Sequence, residues 1–450
     1  YFIPLRYENE RVVCPSKLKG ELFTTAAIDN IDHNTSSTSS QSSFHGTAIS
    51  LVQHPSNSNS GTPREVDTFD PNNTTTSKTI SHLPSSYREV PPLAMPNRDL
   101  NAPPVPALLL TSSTSLLCAS SFDEKDWLKK TQELVAKEKL DAKDYMSWAA
   151  YRASQGSLTS YEPAIITLLP MFVENAHSLA MIAHSMRVIK AAVQHVNPEQ
   201  TPVIALDQPL FALAKQIQWA IPEFSEQNIV VMLGGLHIEI ASFKMLGKWV
   251  AGSGWSDVMC NAGVATQGIA DSFLTASHVT RTRRAHQVTA ASLHILMNTA
   301  YEAYKVNQQG EEQGILLSLE HWKEAMKKKS PNFLYWDFVL KLELICLRLV
   351  RSFREANFPL YINALQELIP WMFAMDHPNY ARWLSVHYRD MRVLSQTQPD
   401  VFKHFNDGSF VVHKTIRAFF SIALDHAHEQ INVIIKGEGG AVGLTENPAA

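Results

Sequence analysis

Cysteine is scarce, four residues in 450, and Cys14, Cys118, Cys260 and Cys346 lie far apart with no CxxC pair among them. That spacing excludes a paired-cysteine zinc module and a disulfide framework, and points to a reducing compartment. Long apolar runs are missing too. None approaches the roughly 18 residues of a membrane span, and no signal peptide opens the chain, so the expected location is nuclear or cytoplasmic, not secreted. Neither sign of charge dominates: 39 Lys and Arg against 43 Asp and Glu leave a net −4. This excludes a polycation that coats nucleic acid along its length. Any DNA contact must come from local basic patches. The first residue is Tyr1 and the last segment, ENPAA, carries no stop signal for a fold, so the chain reads as a fragment of a longer reading frame.

What is present is ordinary for a globular protein: 45% hydrophobic and 18% charged residues, over a length that holds two or three domains. No internal repeat stands out. ELFTTAAIDNID (21–32) reads as a buried strand, and FHGTAISLVQH (44–54) alternates enough to be a second. Residues 55–106 are rich in Pro, Ser, Thr and Asn, the composition of a disordered or loosely draped loop. From Ser121 the pattern turns helical, with acids in the first turn. Leu179, Ile182, Met186, Ile189 and Val193 then mark one helix face, which Asn197 and Pro198 end. TPVIALDQP (201–209) is a short apolar run closing on an acid, and NIVVMLGGLHIEI (228–240) is the most strand-like run of all. Helical periodicity fills 241 to about 420. There FLYWDFVLKLELICLRLV (333–350) is apolar on nearly every side and predicts a buried central helix. The last helix, SIALDHAHEQINVIIK, is followed by GEGGAVGLT, a helix-stop loop that lacks the Lys-Ser/Thr of a P-loop.

Three elements end on acids or carry one: the first strand with Asp29 and Asp32, the run closing at Asp207, and the last helix with Glu429. Singly, an Asp at a strand end is more often a turn former or helix cap. Their order along the chain is the one an RNase H-like core needs, where clustered carboxylates hold two divalent ions about 3.5–4 Å apart. Oxygen ligands suit Mg²⁺ or Mn²⁺. Asp29 is preferred over Asp32 because it sits closer to the apolar run. On the last helix Asp425, His428, Glu429, Asn432 and Lys436 fall at steps of three and four. That stripe is either a solvated face or a set of ligands and auxiliary groups. GGLHIEI places His237 and Glu239 on one side of a strand end, beside two glycines. The HxE pair also opens zinc deaminase sites, but no PCxxC follows, which removes that reading.

Two basic clusters remain. In RTRRAHQ (281–287), Arg281, Arg283 and Arg284 suit phosphate contact as well as surface pairing. KEAMKKK (323–329) suits a solvated helix end. In DHPNYARW (376–383) Tyr380 and Trp383 either pack internally or stack on bases, with packing the commoner role.

Together the strings AIDNIDHN, SFHGTAISL, ALDQPL, GGLHIEIASFKMLGKW, SHVTRTRRAHQVTAA, DHPNYARW and DHAHEQINVIIKGEGGAVGLT resemble a transposon-derived family of animal genomes. That family in turn looks like the DDE/D transposases with helical insertions, of the hAT type. The resemblance implies catalytic and metal-binding roles for Asp29, Asp207 and Glu429, and places His237 where such enzymes carry a histidine after the last strand. From their own places on the strand end, the glycine-flanked run and the last helix, Asp32, Glu239, Asp425, His428 and Asn432 are candidate auxiliary residues. The expected fold is therefore α/β: an RNase H-like core with a mixed sheet, interrupted by a large all-α insertion. Its first strands lie in 1–54, a low-complexity loop in 55–120, core helices and later strands in 121–245, the insertion in 246–415, and the Glu-bearing helix with its Gly-rich tail in 416–450. The expected activity is Mg²⁺- or Mn²⁺-dependent cleavage and joining of DNA, with DNA as partner and a homo-oligomer as a further expectation. A catalytically dead descendant acting as a binding scaffold is the alternative, and a purely helical interaction protein a third.

Overall fold

The central sheet is built from two kinds of strand, and their sequences show why. The computed structural model describes residues 2–34, 43–64, 82–96, 102, 124–137, 147–156, 162–309 and 317–436. Two long strands come first, β1 (Thr24–Asn34) and β2 (Ser43–Gln53), paired antiparallel from Thr24 opposite Gln53 to Asn34 opposite Ser43. β3 (Ile165–Leu168), a strand the sequence reading did not identify, pairs antiparallel with β2. β4 (Val203–Leu206) and β5 (Val230–Leu233) run parallel to β1. Both are buried at every residue, as parallel strands covered on two faces must be, which is why VIAL and VVML show no alternation. The order across the sheet is β3-β2-β1-β4-β5.

Helices supply the crossovers. α1 (Phe2–Glu10), α2 (Lys125–Val135) and α3 (Trp148–Gln155) precede α4 (Leu179–Val196), whose Ser178 cap accepts from the Met181 amide. α5 (Gln208–Ala220) links β4 to β5. After β5 the chain enters α6 (Gly235–Val250), α7 (Trp255–Asn261), α8 (Gln267–Leu274), α9 (Val279–Gln309), α10 (Leu319–Lys329), α11 (Pro331–Arg354), α12 (Phe358–Ala374), α13 (Pro378–Thr397) and α14 (Pro399–Asn406). A two-residue hairpin, β6 (Val411–Val412) with β7 (Ile422–Ala423), returns the chain to the sheet as α15 (Leu424–Lys436). α4 and α15 both pack on β1. Ile31 and Ala48 meet Ile435, and Ser50 bonds His428, so α15 covers the sheet face that carries Asp29.

Several expectations need correction. Only Val230–Leu233 of the run 228–240 is strand; GGLHIEI opens α6. A continuous apolar run has no period to separate buried strand from buried helix, and the glycine pair is the break. The central helix buries most of its apolar residues from Val339 onward, whereas Phe333, Tyr335 and Trp336 are only half-buried and Phe338 is exposed. The helical block also packs back against the core. α13 lies on α5 and β5, with Trp383 edge-on to Phe211 and the His387 Nδ1 accepting from the Leu233 amide at 3.4 Å. One continuous hydrophobic core runs through sheet and helices. Within 55–120, the described part includes a buried Tyr87 stacked on Phe172 at 4.2 Å, so that stretch is anchored there. The helix-start residue Ser121, Cys118 and the GEGGAVGLT tail lie outside the described residues. Among the described residues Cys14, Cys260 and Cys346 are free thiols, and no helix is long and apolar enough to cross a membrane.

Candidate functional site

Register assembles the site. Thr25 to Ile28 of β1 pair with Val203 to Leu206 of β4, so the next residues, Asp29 and Asp207, stand level on adjacent strands. Such strands are about 4.8 Å apart. β5 continues the row, with the Gly234 amide donating to the Leu206 carbonyl at 2.7 Å. The parallel strands thus present their carboxyl ends together, the usual place for a ligand in an α/β sheet.

Asp29 is partly buried in the row and hydrogen-bonds Glu429 of α15. Two carboxylates have no donor between them, so this contact requires one shared proton. Burial, the Glu429 hydrogen bond and the Glu429 charge push Asp29 up to about 8, and the Asp207 charge adds to them. The Asn30 amide, donating to Asp29 Oδ1 at 2.8 Å, opposes the rise. Asp207 has the commonplace role as well: it caps α5, with Oδ1 accepting from the Leu210 amide at 3.0 Å. Its charge nevertheless reaches Asp29, His237 and Tyr380.

The stripe on α15 is the inner face of that helix. Asp425, His428 and Asn432 are buried, while Val433 and Ile434 are exposed, so the solvated-face reading is overturned. Asp425 crosses to the start of α6, where its carboxylate accepts from the Leu236 amide at 3.0 Å, the His237 amide at 3.2 Å and His237 Nδ1 at 3.0 Å. A Cβ on Gly234 would overlap the same carboxylate, which is why glycine is required there. Burial alone would lower His237, but Asp425, Asp207 and Asp29 raise it to about 9, so it is an imidazolium beside the acids. Burial would raise Asp425, but His237 and the two amides hold it below its ordinary value. Tyr380 Oη donates to the His237 carbonyl at 3.1 Å, and burial and the charges of Asp207 and Asp425 push its hydroxyl up. The sequence offered Tyr380 only as packing or base stacking.

Other candidates fall elsewhere. Glu239 is two residues from His237 on a helix, hence on the far side of α6, where it accepts from Arg283 Nε and Nη2 at 2.9 and 2.6 Å. This removes Glu239 from the site and buried Arg283 from any nucleic-acid surface; Arg281 and Arg284 are exposed. His428 Nδ1 contacts Ser50 Oγ at 2.8 Å, and burial takes the ring down to about 4, a packed neutral histidine. Asn432, one turn further, keeps a buried Oδ1 without a hydrogen-bond partner among the described residues. Asp32 pairs with His45 along β1, and its side chain, like that of Lys436, lies outside the described residues.

Asp29 and Glu429 therefore touch, and Asp207 acts on them through its charge. Among the described residues no group of three or more His, Cys, Asp or Glu is already spaced as a metal cage. The acids offer only oxygen donors, the kind that hard divalent cations take.

No curated protein and no solved structure matches the chain. Residues 147–450, which include Asp207, His237, Asp425 and Glu429, match the family described as a domain of unknown function, DUF8702, and the chain belongs to that family.

Proposed function

We propose that the chain is a transposase-like polynucleotidyl transferase or nuclease domain with an RNase H-like core, cutting and joining DNA on Asp29, Asp207 and Glu429. One observation carries this reading. The first-strand acid stands level with the acid ending the adjacent parallel strand, and the third acid arrives on a helix after a long helical block and bonds the first. The strand order β3-β2-β1-β4-β5, with β2 and β3 antiparallel to β1, supports the same core. Separate turn and cap roles for three acids do not account for that convergence.

The three carboxylates would hold Mg²⁺ or Mn²⁺, which supplies activation of the attacking oxygen and neutralisation of the leaving one. The protein's own part is to desolvate the acids, to hold Glu429 against Asp29, and to keep the His237 imidazolium beside them as a fixed positive charge. DNA is the substrate on this reading, and a nuclear location follows from it. The test combines melting in millimolar MnCl₂ with nicking of labelled duplex DNA. Metal should raise the wild-type Tm by mass action, and Asp207→Asn should abolish both the shift and the nicking. An unshifted, inactive wild type would leave the fold as a scaffold with a structural carboxyl pair.

A further inference from the structure

A hollow lies among the helices that follow β5, lined by residues 253–340 and by none of the three acids. It is a trough of about 510 Å³ between α9 and α11, closed by α7 and by Met326 of α10. Trp255, Leu293, Phe333 and Trp336 are among its lining, and Met259, Met297 and Met326 add three deformable side chains. Its edges are apolar and stand in water: Val258 is 59% exposed, Leu296 65%, and Val264 and Val288 42% each. On α9 the ridge Val288, Ser292, Leu296, Ala300 advances four residues at a time, about 18 Å of helix. That is three turns, the footprint of a docked amphipathic helix.

Among the described residues, the exposed charges around it that lack an ion pair are mostly basic. On α9, Arg284 lies one turn before Val288 on the same ridge, and Arg281 precedes it. Lys329 follows Met326 by one turn at the end of α10, and Lys341 follows Leu340 on α11. These four and Lys328 are exposed and make no ion pair among the described residues. Lys323 and Lys327 instead hold Asp337 in the trough wall, at 3.1 and 2.9 Å. On the same helices the exposed acids without an ion pair are only Asp257 and Glu320.

We propose that this trough is the docking site for an acidic amphipathic helix of a partner protein. The partner's apolar ridge covers Leu296 and Val258 and fills the space over Trp336, while its acids meet Arg281, Arg284 and Lys329 at the two ends. Duplex DNA fits less well, because a phosphate backbone leaves the apolar edges in water. The inference is independent of the catalytic reading.

The test uses the full chain and fluorescein-labelled 16-residue helical peptides with one leucine face, the other face being Glu-rich in one and Lys-rich in its counterpart. Anisotropy should show saturable binding of the acidic peptide only. Leu296→Asp, a change at an exposed position, should weaken it about tenfold with Tm unchanged. Arg284→Glu should weaken it and flatten its salt dependence. Absence of acidic-peptide binding, or equal binding of both peptides, overturns the proposal. So does displacement of the acidic peptide by a 16-base-pair duplex, or a wild-type dimer in sedimentation that Leu296→Asp converts to monomer.

Discussion

Replacing Asp29 by Asn should make the protein more stable, and by an amount that grows with pH. In the unfolded chain an ordinary Asp is ionised above 3.8, whereas the fold holds Asp29 protonated up to about 8. Between those values the native state binds one more proton than the unfolded state, so wild-type stability falls by about 1.4 kcal/mol per pH unit. Over the full window the loss amounts to about 5–6 kcal/mol, a ceiling because the carboxyl is only partly buried. Asn reproduces the neutral acid and carries none of this loss. Its advantage should therefore widen by about 2.5 kcal/mol between pH 5.5 and 7.5. His237, raised from 6.5 to about 9, has stability fully present below 6.5 that is lost as pH rises to about 9. It falls in the same direction in both proteins, and the Asp29 charge is the smallest of the contributions that raise His237, so the difference chiefly reports Asp29. Urea unfolding at the two pH values without divalent metal gives the comparison. A destabilised Asp29→Asn, or an advantage that ignores pH, would refute the picture of a carboxyl pair held together by one proton.

Asp425→Ala should cost about 2–4 kcal/mol, because it strands two helix-end amides and an imidazolium in a buried place. The amides of Leu236 and His237 should exchange faster, and the His237 pKa, followed by NMR, should drop below 6.5. Unchanged exchange at those amides would refute the clamp. Arg283→Ala should cost about 3–5 kcal/mol by leaving Glu239 buried and unpaired, whereas Arg281→Ala and Arg284→Ala should stay within about 0.5 kcal/mol. Equal thermal shifts for all three would contradict the pairing.

Asp29 and Asp207 were legible because each sits where an apolar run stops, and such stops mark the ends of buried strands, whereas Glu429 stood out only by its place on the polar stripe of the last helix. Their shared destination was legible only as an order of elements, since register between β1 and β4 is set by pairing across about 175 residues of chain. Arg283 shows the opposite limit. RTRRAHQ reads as one basic patch, but on α9 its residues take different azimuths, and Arg283 turns inward to Glu239 while Arg281 and Arg284 stay outside. Composition gave the charge, and helical phase decided its partner. The stripe on α15 misled for a related reason. A polar face normally looks to water, but here the sheet offers it Asp29, Ser50 and the start of α6, so it packs inward.

The misread start of α6 has a more instructive cause. A helix beginning after Gly234 should show Ser, Thr, Asp or Asn at its cap, and none is there. The missing acceptor is Asp425, 189 residues later, supplied from α15. A cap delivered from so far away cannot be found by reading locally, and it has a structural consequence. The first turn of α6 keeps unsatisfied amides until the last helix docks, and the carboxylate that satisfies them also fixes His237. Glu429 lies one turn beyond Asp425 on the same face of α15. The contact that completes α6 is therefore the contact that sets the depth and rotation at which Glu429 reaches Asp29. Gly234 guards this arrangement, because any side chain there displaces Asp425 first and Glu429 with it. The acid pair and the helix start are one cooperative unit, assembled only when the two sides of the helical block meet.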